Sequence, residues 1–379
     1  MADPSLSATF NPMAHLTDYS LTSTSTRGRP RIALALQGGG AHGAFTWGVL
    51  DRLMEVPHFD LTALSGASAG AINAAVLLSG ILRNGPQGGR ERLTALWQRV
   101  GRMGRYSPLR ASLLERFTHG WNSNWAGGHL AFDLLTRFFS PYQFNPFDLN
   151  PLRIVLSETV DIDALHAEQT PALFISATDL HNGSAQIFTG KDITLDTLMA
   201  SACIPFLHQA VSINGRYYWD GGYSSNPPLL ALAESGFADD IVLVQIHAGY
   251  EPSLPTEARG IHDRLNQIML NAPLAGELKS FDLYNRLRQA QEKSPLRLHR
   301  IAAEKELRPL GSSSKLNAEP GFLDHLFSIG RDAAARWLET DGAQIGLRST
   351  YDPLDDTDGE AIETPQKSLR KTKSIRRRA

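Results

Sequence analysis

The sequence predicts a three-layer α/β fold with a mostly parallel central sheet, and three observations carry that expectation. Residues 32–36 (IALAL) are a short, wholly apolar run, the pattern of a strand buried on both faces. Residues 44–54 place Phe45, Val49, Leu50 and Leu53 at helical spacing, and residues 61–64 give a second short strand after the turn residues Pro57 and Asp60. Strand, glycine turn, helix and strand form a βαβ unit. Much further on, residues 241–246 (IVLVQI) repeat the buried-strand pattern.

The remaining elements follow in order. Residues 69–82 are apolar nearly all round, which predicts a helix buried in the middle of the domain, starting directly after a second glycine turn. Residues 83–150 differ, because 11 of the chain's 31 aromatic residues lie between Trp97 and Phe147, among them Trp121, Trp125, Phe138 and Phe139. They predict a helical, aromatic-rich insertion whose rings pack its own core, cap the substrate, or do both. Strands are expected at 173–178 and 185–188 around the turn pair Asn182-Gly183, then a helix at 194–202 and a second hairpin at 211–219 around Asn214-Gly215. Beyond the 241–246 strand, helices at 259–293 and 322–339 flank a short strand at 296–301.

The folded domain is therefore expected over residues 30–345, between two disordered ends. Residues 1–29 are rich in Ser and Thr, carry Asp3 and Asp18 where a signal peptide would be cationic, and lack an apolar core, so they read as a flexible lead-in without a Sec signal. Residues 346–379 hold six carboxylates between 352 and 363 and then seven basic residues between 367 and 379, an acidic-then-basic tail that does not fold. That tail reads either as a solubilising or partner-binding segment or as a peripheral tether to an anionic membrane.

Composition narrows the function classes. Thirty-seven basic and 39 acidic residues leave a net charge of −2, so no global field argues for a nucleic-acid partner. One cysteine, Cys203, cannot form an internal disulfide and fits a reducing, cytoplasmic compartment; no Cys/His spacing suits a metal. No apolar run approaches the ~18 residues of a membrane-spanning helix.

Three motifs carry chemistry. Gly66-Ala67-Ser68-Ala69-Gly70 is G-x-S-x-G between a predicted strand and a predicted helix, where small residues let the chain turn tightly and lift a serine hydroxyl clear of the sheet. An ordinary small-residue turn with a capping serine would look the same locally. Gly38-Gly39-Gly40-Ala41-His42-Gly43 also joins a strand to a helix. It fits a dinucleotide fingerprint or an oxyanion hole, but the carboxylate that a dinucleotide site needs at the end of the second strand is replaced by Ser65-Gly66-Ala67-Ser68. Asp220 ends a predicted strand and is followed by Gly221 and Gly222, a turn that would let a carboxylate approach a hydroxyl closely.

In the order GGGAHG, GASAG and DGG, these elements resemble the patatin-like lipid acyl hydrolases, the family that includes the catalytic domain of cytosolic phospholipase A2. The resemblance covers roughly residues 31–250 and extends to the small-residue stretch 200–206 (ASACIPF). It implies a patatin-like fold, Ser68 as nucleophile and Asp220 as general base. It also implies oxyanion donors among the amides of Gly38, Gly39, Gly40 and Ala41, with Gly43, Gly66, Gly70, Gly221 and Gly222 supporting the turns. The implied substrate is a lipid ester, a phospholipid or lysophospholipid, and the chemistry needs no cofactor. His42 departs from the family's usual Arg or Lys and puts a fixed charge beside the oxyanion site in doubt. Two other readings stay open: an α/β-hydrolase triad with His247 as its third member, and a lipid- or nucleotide-binding module without turnover.

Overall fold

The computed structural model of the chain describes residues 29–56, 59–104, 139–167, 171–251 and 254–353. In order, the elements are β1 (Arg31–Leu36), α1 (Gly43–Leu53), β2 (Asp60–Ala67), α2 (Ala69–Gly104), α3 (Pro151–Thr159), β3 (Ala172–Asp179), β4 (Ala185–Thr189) and α4 (Leu195–Ser201). There follow β5 (Val211–Ile213), β6 (Arg216–Asp220), α5 (Leu229–Glu234), β7 (Asp240–Val244), α6 (Ala258–Ala290), β8 (Arg297–Ile301) and α7 (Pro320–Glu339), with short helical turns between some of them.

The alternation within β1 sets the layers. Ile32, Leu34 and Leu36 enter one apolar cluster, and Ala33 and Ala35 enter a second on the opposite face. The first cluster is completed by α1, α2 and α7, through residues such as Phe45, Val76 and Phe322. The second is completed by α5 and the C-terminal half of α6, through Leu229, Leu274, Leu278 and Phe281. Large side chains on one face and alanines on the other make β1 the middle of a three-layer α/β/α arrangement.

The strands form an eight-stranded sheet in the order β5-β6-β3-β2-β1-β7-β8, with β4 also paired to β3. Strands β1, β2, β3, β7 and β8 are mutually parallel, whereas β4, β5 and β6 pair antiparallel. Two features of this topology position the site. First, β1 has β2 on one side and β7 on the other, so the crevice beyond its carboxyl end is a topological switch point. Second, Phe174 pairs with both Ser65 and Thr189, and Ala177 with both Gln186 and Asp220, so β2 and β6 share one edge of β3. They meet there end to end: Ala67 is opposite Ser176, and Asp220 is opposite the next residue, Ala177.

Helices α1 and α7 cross at backbone contact. A Cβ added to Gly48 would stand 2.0 Å from the Phe327 carbonyl oxygen, and one added to Gly330 would stand 2.0 Å from that of Phe45. Only glycine permits so close a crossing, and it fixes the helix that begins at the first glycine turn.

Several boundaries differ from the sequence-based expectation. Strand β2 continues beyond residue 64 to Ala67, directly before Ser68. Helix α2 continues beyond residue 82 to Gly104, interrupted by non-helical Asn84 and Gly85, because the chain resumes helical geometry at Pro86. Trp97, expected to begin the aromatic insertion, is buried in the main core, where its indole N–H donates to Asn73 Oδ1 at 2.9 Å and its ring stacks on Trp47. The rest of the expected cap falls largely on residues 105–138, with Trp121, Trp125 and Phe138, which lie outside the described residues.

The domain also extends past the expected end at residue 345. The amide of Leu298 donates to Ser349 Oγ and the amides of Thr350 and Tyr351 donate to the Leu298 carbonyl, each at 3.1 Å. Among the described residues β8 is the last strand on this side of the sheet, and this segment satisfies the N–H and carbonyl of Leu298 on its outer edge. The lead-in up to residue 28 and the tail from residue 354 lie outside the described residues. Among the described residues no helix is long and apolar enough to cross a membrane.

Candidate active site

Ser68 is the single residue between β2 and α2, at φ 53°. That is the left-handed region, which non-glycine residues enter only when the surroundings impose it. Here a strand ending and a helix beginning on either side impose it. The Ser68 N–H donates to Ser201 Oγ at 2.9 Å, so the end of α4 holds the turn from behind.

The end-to-end meeting of β2 and β6 brings Asp220 to this turn. Ser68 Oγ donates to Asp220 Oδ2 at 2.6 Å, and the Gly222 N–H donates to Oδ1 at 2.7 Å. Thr178 Oγ1 donates to the Asp220 carbonyl at 2.7 Å, which fixes the strand end against β3. Gly221 packs on the Ser176 backbone at the same place. Both Ser68 and Asp220 are buried. Desolvation pushes the Asp220 carboxyl up to about 6, against the hydrogen bonds from Ser68 and Gly222 that favour its ionised form. The group is thus ionised at neutral pH yet poised close to it, the range in which a general base works best.

The glycine turn after β1 is held from two sides. Gln37 Oε1 accepts from the amides of Ile246 and His247, which staples the turn to the chain leaving β7. The Gly38 N–H donates to Asn226 Oδ1 at 2.7 Å. A Cβ on Gly38 would lie 2.8 Å from Ser68 Cβ, so the turn rests directly against the serine. Gly39, Gly40 and Ala41 carry the chain past it into α1 at Gly43, whose carbonyl accepts from Asn73 Nδ2. On the other turn, Gly66 lies under the start of α2 and Gly70 packs on the Leu36 carbonyl.

The histidines stand apart from the Ser68–Asp220 pair. His42 is buried and its Nε2 bonds Ser314 Oγ at 2.8 Å; burial, then the charge of Lys315, bring it down to about 3, so it is neutral. The His247 ring lies against Gly39, its Nε2 buried without a hydrogen-bond partner, and burial holds it well below its usual pKa. Among the described residues no hydrogen bond joins it to Ser68 or Asp220, whose hydroxyl and carboxylate bond each other and Gly222. Burial pushes the Cys203 thiol up to about 12, which leaves it un-ionised. Among the described residues no group of His, Cys, Asp and Glu is arranged to hold a metal ion.

The structure thus brings together the serine turn, the glycine turn and the aspartate turn. It adds partners that sequence reasoning missed: Asn226 on Gly38, Ser201 on Ser68, and Gln37 on the end of β7. The only sequence signal for Asn226 is its position a few residues after Asp220; Ser201 lies inside the small-residue stretch but carries no mark of its own.

Known proteins are similar to this chain over most of its length. The uncharacterized protein YjjU of Escherichia coli (strain K12) is 27% identical over 330 residues, covering 82% of this chain and 78% of that one. Among solved structures, VipD from Legionella pneumophila aligns over 77% of this chain and 66% of its own, at 15% identity and a TM-score of 0.33. Human GIVD cytosolic phospholipase A2, solved with methyl gamma-linolenyl fluorophosphonate, aligns over 81% and 60%, at 13% identity and a TM-score of 0.34. This chain therefore spans less than two thirds of that phospholipase and about two thirds of VipD. The family model for patatin-like phospholipases matches residues 34–233, more than half of the chain and the whole segment from the glycine turn through Ser68 to Asp220. On that match, the chain belongs to the patatin-like phospholipase family.

Proposed function

We propose that this protein hydrolyses lipid acyl esters, as a phospholipase A or lysophospholipase, with Ser68 as nucleophile and Asp220 as general base. The observation that carries the reading is the 2.6 Å hydrogen bond from Ser68 Oγ to Asp220 Oδ2, made directly, with no histidine between them. Ser68 Oγ attacks the ester carbonyl carbon and its proton passes to Asp220. The amides of Gly39 and Gly40, with Ala41 next to them, hold the oxyanion. Gly38 is left out of that donor set because its N–H is committed to Asn226. Collapse expels the alcohol, which takes the proton from Asp220. Water then attacks the acyl-serine, gives a proton to Asp220, and the fatty acid leaves as Ser68 recovers its hydrogen.

The strained φ of Ser68 and the raised pKa of Asp220 support these roles, because both are costs that packing alone does not call for. The rival triad has less support, since His247 is bonded to neither partner and lies on the glycine-turn side. The catalytic unit runs from about residue 30 through Tyr351 in this reading, and the basic residues between 367 and 379 tether it to anionic lipid.

The test is hydrolysis of a panel of phospholipids, lysophospholipids and neutral acyl esters, together with labelling by an alkyl fluorophosphonate. Ser68→Ala is expected to lose both hydrolysis and label while keeping its circular dichroism spectrum. A label that persists in Ser68→Ala, or a wild type that takes no label and cleaves no ester, would leave a binding module instead.

A further inference from the structure

We propose that Lys315 supplies the positive charge of the oxyanion turn, through a buried ammonium brought to Gly40 and His42 by a segment far downstream of them. The proposal rests on the reading of the glycine turn as the oxyanion site.

The turn has no charge of its own, since both imidazoles beside it, His42 and His247, are held neutral. Residues Ser312–Leu316 form a short 3-10 turn that packs onto it. Ser314 Oγ bonds His42 Nε2 at 2.8 Å, and the Lys315 carbonyl oxygen lies 2.4 Å from where a Cβ on Gly40 would stand. The Lys315 residue is only partly buried, but its Nζ is inaccessible and has no hydrogen-bond partner. The amine therefore points inward. The Lys315 Cβ lies 3.5 Å from the point where a Cβ on Gly40 would stand, so the buried amine belongs to a side chain that starts against Gly40, and its charge lowers the pKa of both His42 and His247.

An ammonium buried without an acceptor is costly, and folding alone gives no reason to keep one. The oxyanion is the acceptor that the resting site lacks. Attraction to it exists only once the carbonyl oxygen has gained charge, which makes it a contribution to the transition state rather than to substrate binding. Lys315 stays protonated throughout, and no proton moves to or from it. The groups that face it are His42 from the glycine turn, His247 from the chain after β7, and Asp263 from α6. Asp263 raises the pKa of the amine, but burial outweighs it and brings Lys315 down to about 8. The charge is therefore present below about pH 8 and lost above it.

The experiment uses the full chain and p-nitrophenyl butyrate, an uncharged ester, with kcat/KM measured across pH and Ser68→Ala as control. Wild type is expected to lose kcat/KM as pH rises through about 8, and Lys315→Arg, charged at every pH used, to keep its activity there. Lys315→Met is expected to fall roughly 100-fold, mainly in kcat and with no limb near pH 8, while its Tm does not drop. A merely structural lysine would lower Tm and leave the pH profile in place. An unchanged alkaline limb in Lys315→Arg overturns the proposal, even if Lys315→Met fails to fold. So does a Lys315→Met variant within twofold of wild type, or one impaired only on phosphate-bearing lipids, which would assign the amine to a head group. Turnover that depends on Ser68 but not on Lys315 overturns this proposal alone; turnover indifferent to Ser68→Ala overturns the dyad with it.

Discussion

Replacing Asp220 by Asn should abolish turnover and stabilise the protein, and the second effect has a calculable pH dependence. The side-chain amide can still accept from the Gly222 N–H and donate to Ser68 Oγ, so the local hydrogen bonds survive. What disappears is a buried ionisation. A carboxyl moved from 3.8 to about 6 is harder to ionise in the folded chain than in the unfolded one, by about 3 kcal/mol. Below pH 3.8 both states hold the proton and nothing is lost. As pH rises from there through about 6, the unfolded chain releases its proton first, and wild-type stability falls by that amount. Urea or thermal unfolding near pH 4 should find the two proteins alike. Near pH 7.5, Asp220→Asn should be more stable by up to about 3 kcal/mol, roughly 4 °C in Tm for a domain of this size. An Asn variant that is less stable than wild type near pH 7.5, or equally stabilised at both pH values, would refute the argument that burial dominates this carboxyl.

Asn226→Ala leaves the buried Gly38 N–H without its acceptor, so it should lower stability by about 1–3 kcal/mol and reduce kcat more than it raises KM, as steady-state kinetics with a short ester would show. Gly330→Ala forces apart two helices in backbone contact, and calorimetry should record a loss of about 1–3 kcal/mol with a parallel fall in activity, although the residue lies on a helix outside the site. Cutting the chain after Pro353 removes nearly all of the acidic block and the whole basic block while keeping the Ser349–Tyr351 contacts with β8. That variant should lose salt-sensitive binding to anionic vesicles in a sedimentation assay and retain full hydrolysis of a soluble ester; vesicle binding equal to wild type would remove the tail as a tether.

What could be read from the sequence was local in origin. The run IALAL followed by glycines, the G-x-S-x-G turn and the Asp-Gly-Gly turn each announce a strand end through residues that are neighbours in the chain, and each lies where its pattern implied. The dipeptides Asn182-Gly183 and Asn214-Gly215 likewise mark real hairpins, with Gly183, Asn214 and Gly215 at positive φ. The failures have physical causes. Asn84-Gly85-Pro86 looks like a helix stop, but only Asn84 and Gly85 are non-helical, and Pro86 falls in the first turn of the resumed helix, where its missing N–H costs nothing. Ser349 and Tyr351 precede a polar tail in composition and still bond the open edge of β8. Asn226 and Ser201 are single polar residues that the topology of the sheet brings to the two turns, Lys315 lies on a 3-10 turn with its amine buried, and no local pattern marks a lone polar residue as buried.

The crossing of α1 and α7, and the place of β1 between β2 and β7, mean that the segment matched by the family model is not a free-standing unit. Residues 34–233 contain the whole Ser68–Asp220 pair, yet β7, β8 and α7 all come after them. Without β7, the buried strand β1 would become an open edge, and Gln37 would lose the amides of Ile246 and His247 that anchor the glycine turn. Without α7, helix α1 would expose the face that Gly48 presses against Phe327. The stretch that carries the motifs is here finished by another, so a fragment cut at residue 233 would keep both reacting side chains and lose the packing that holds their turns in place.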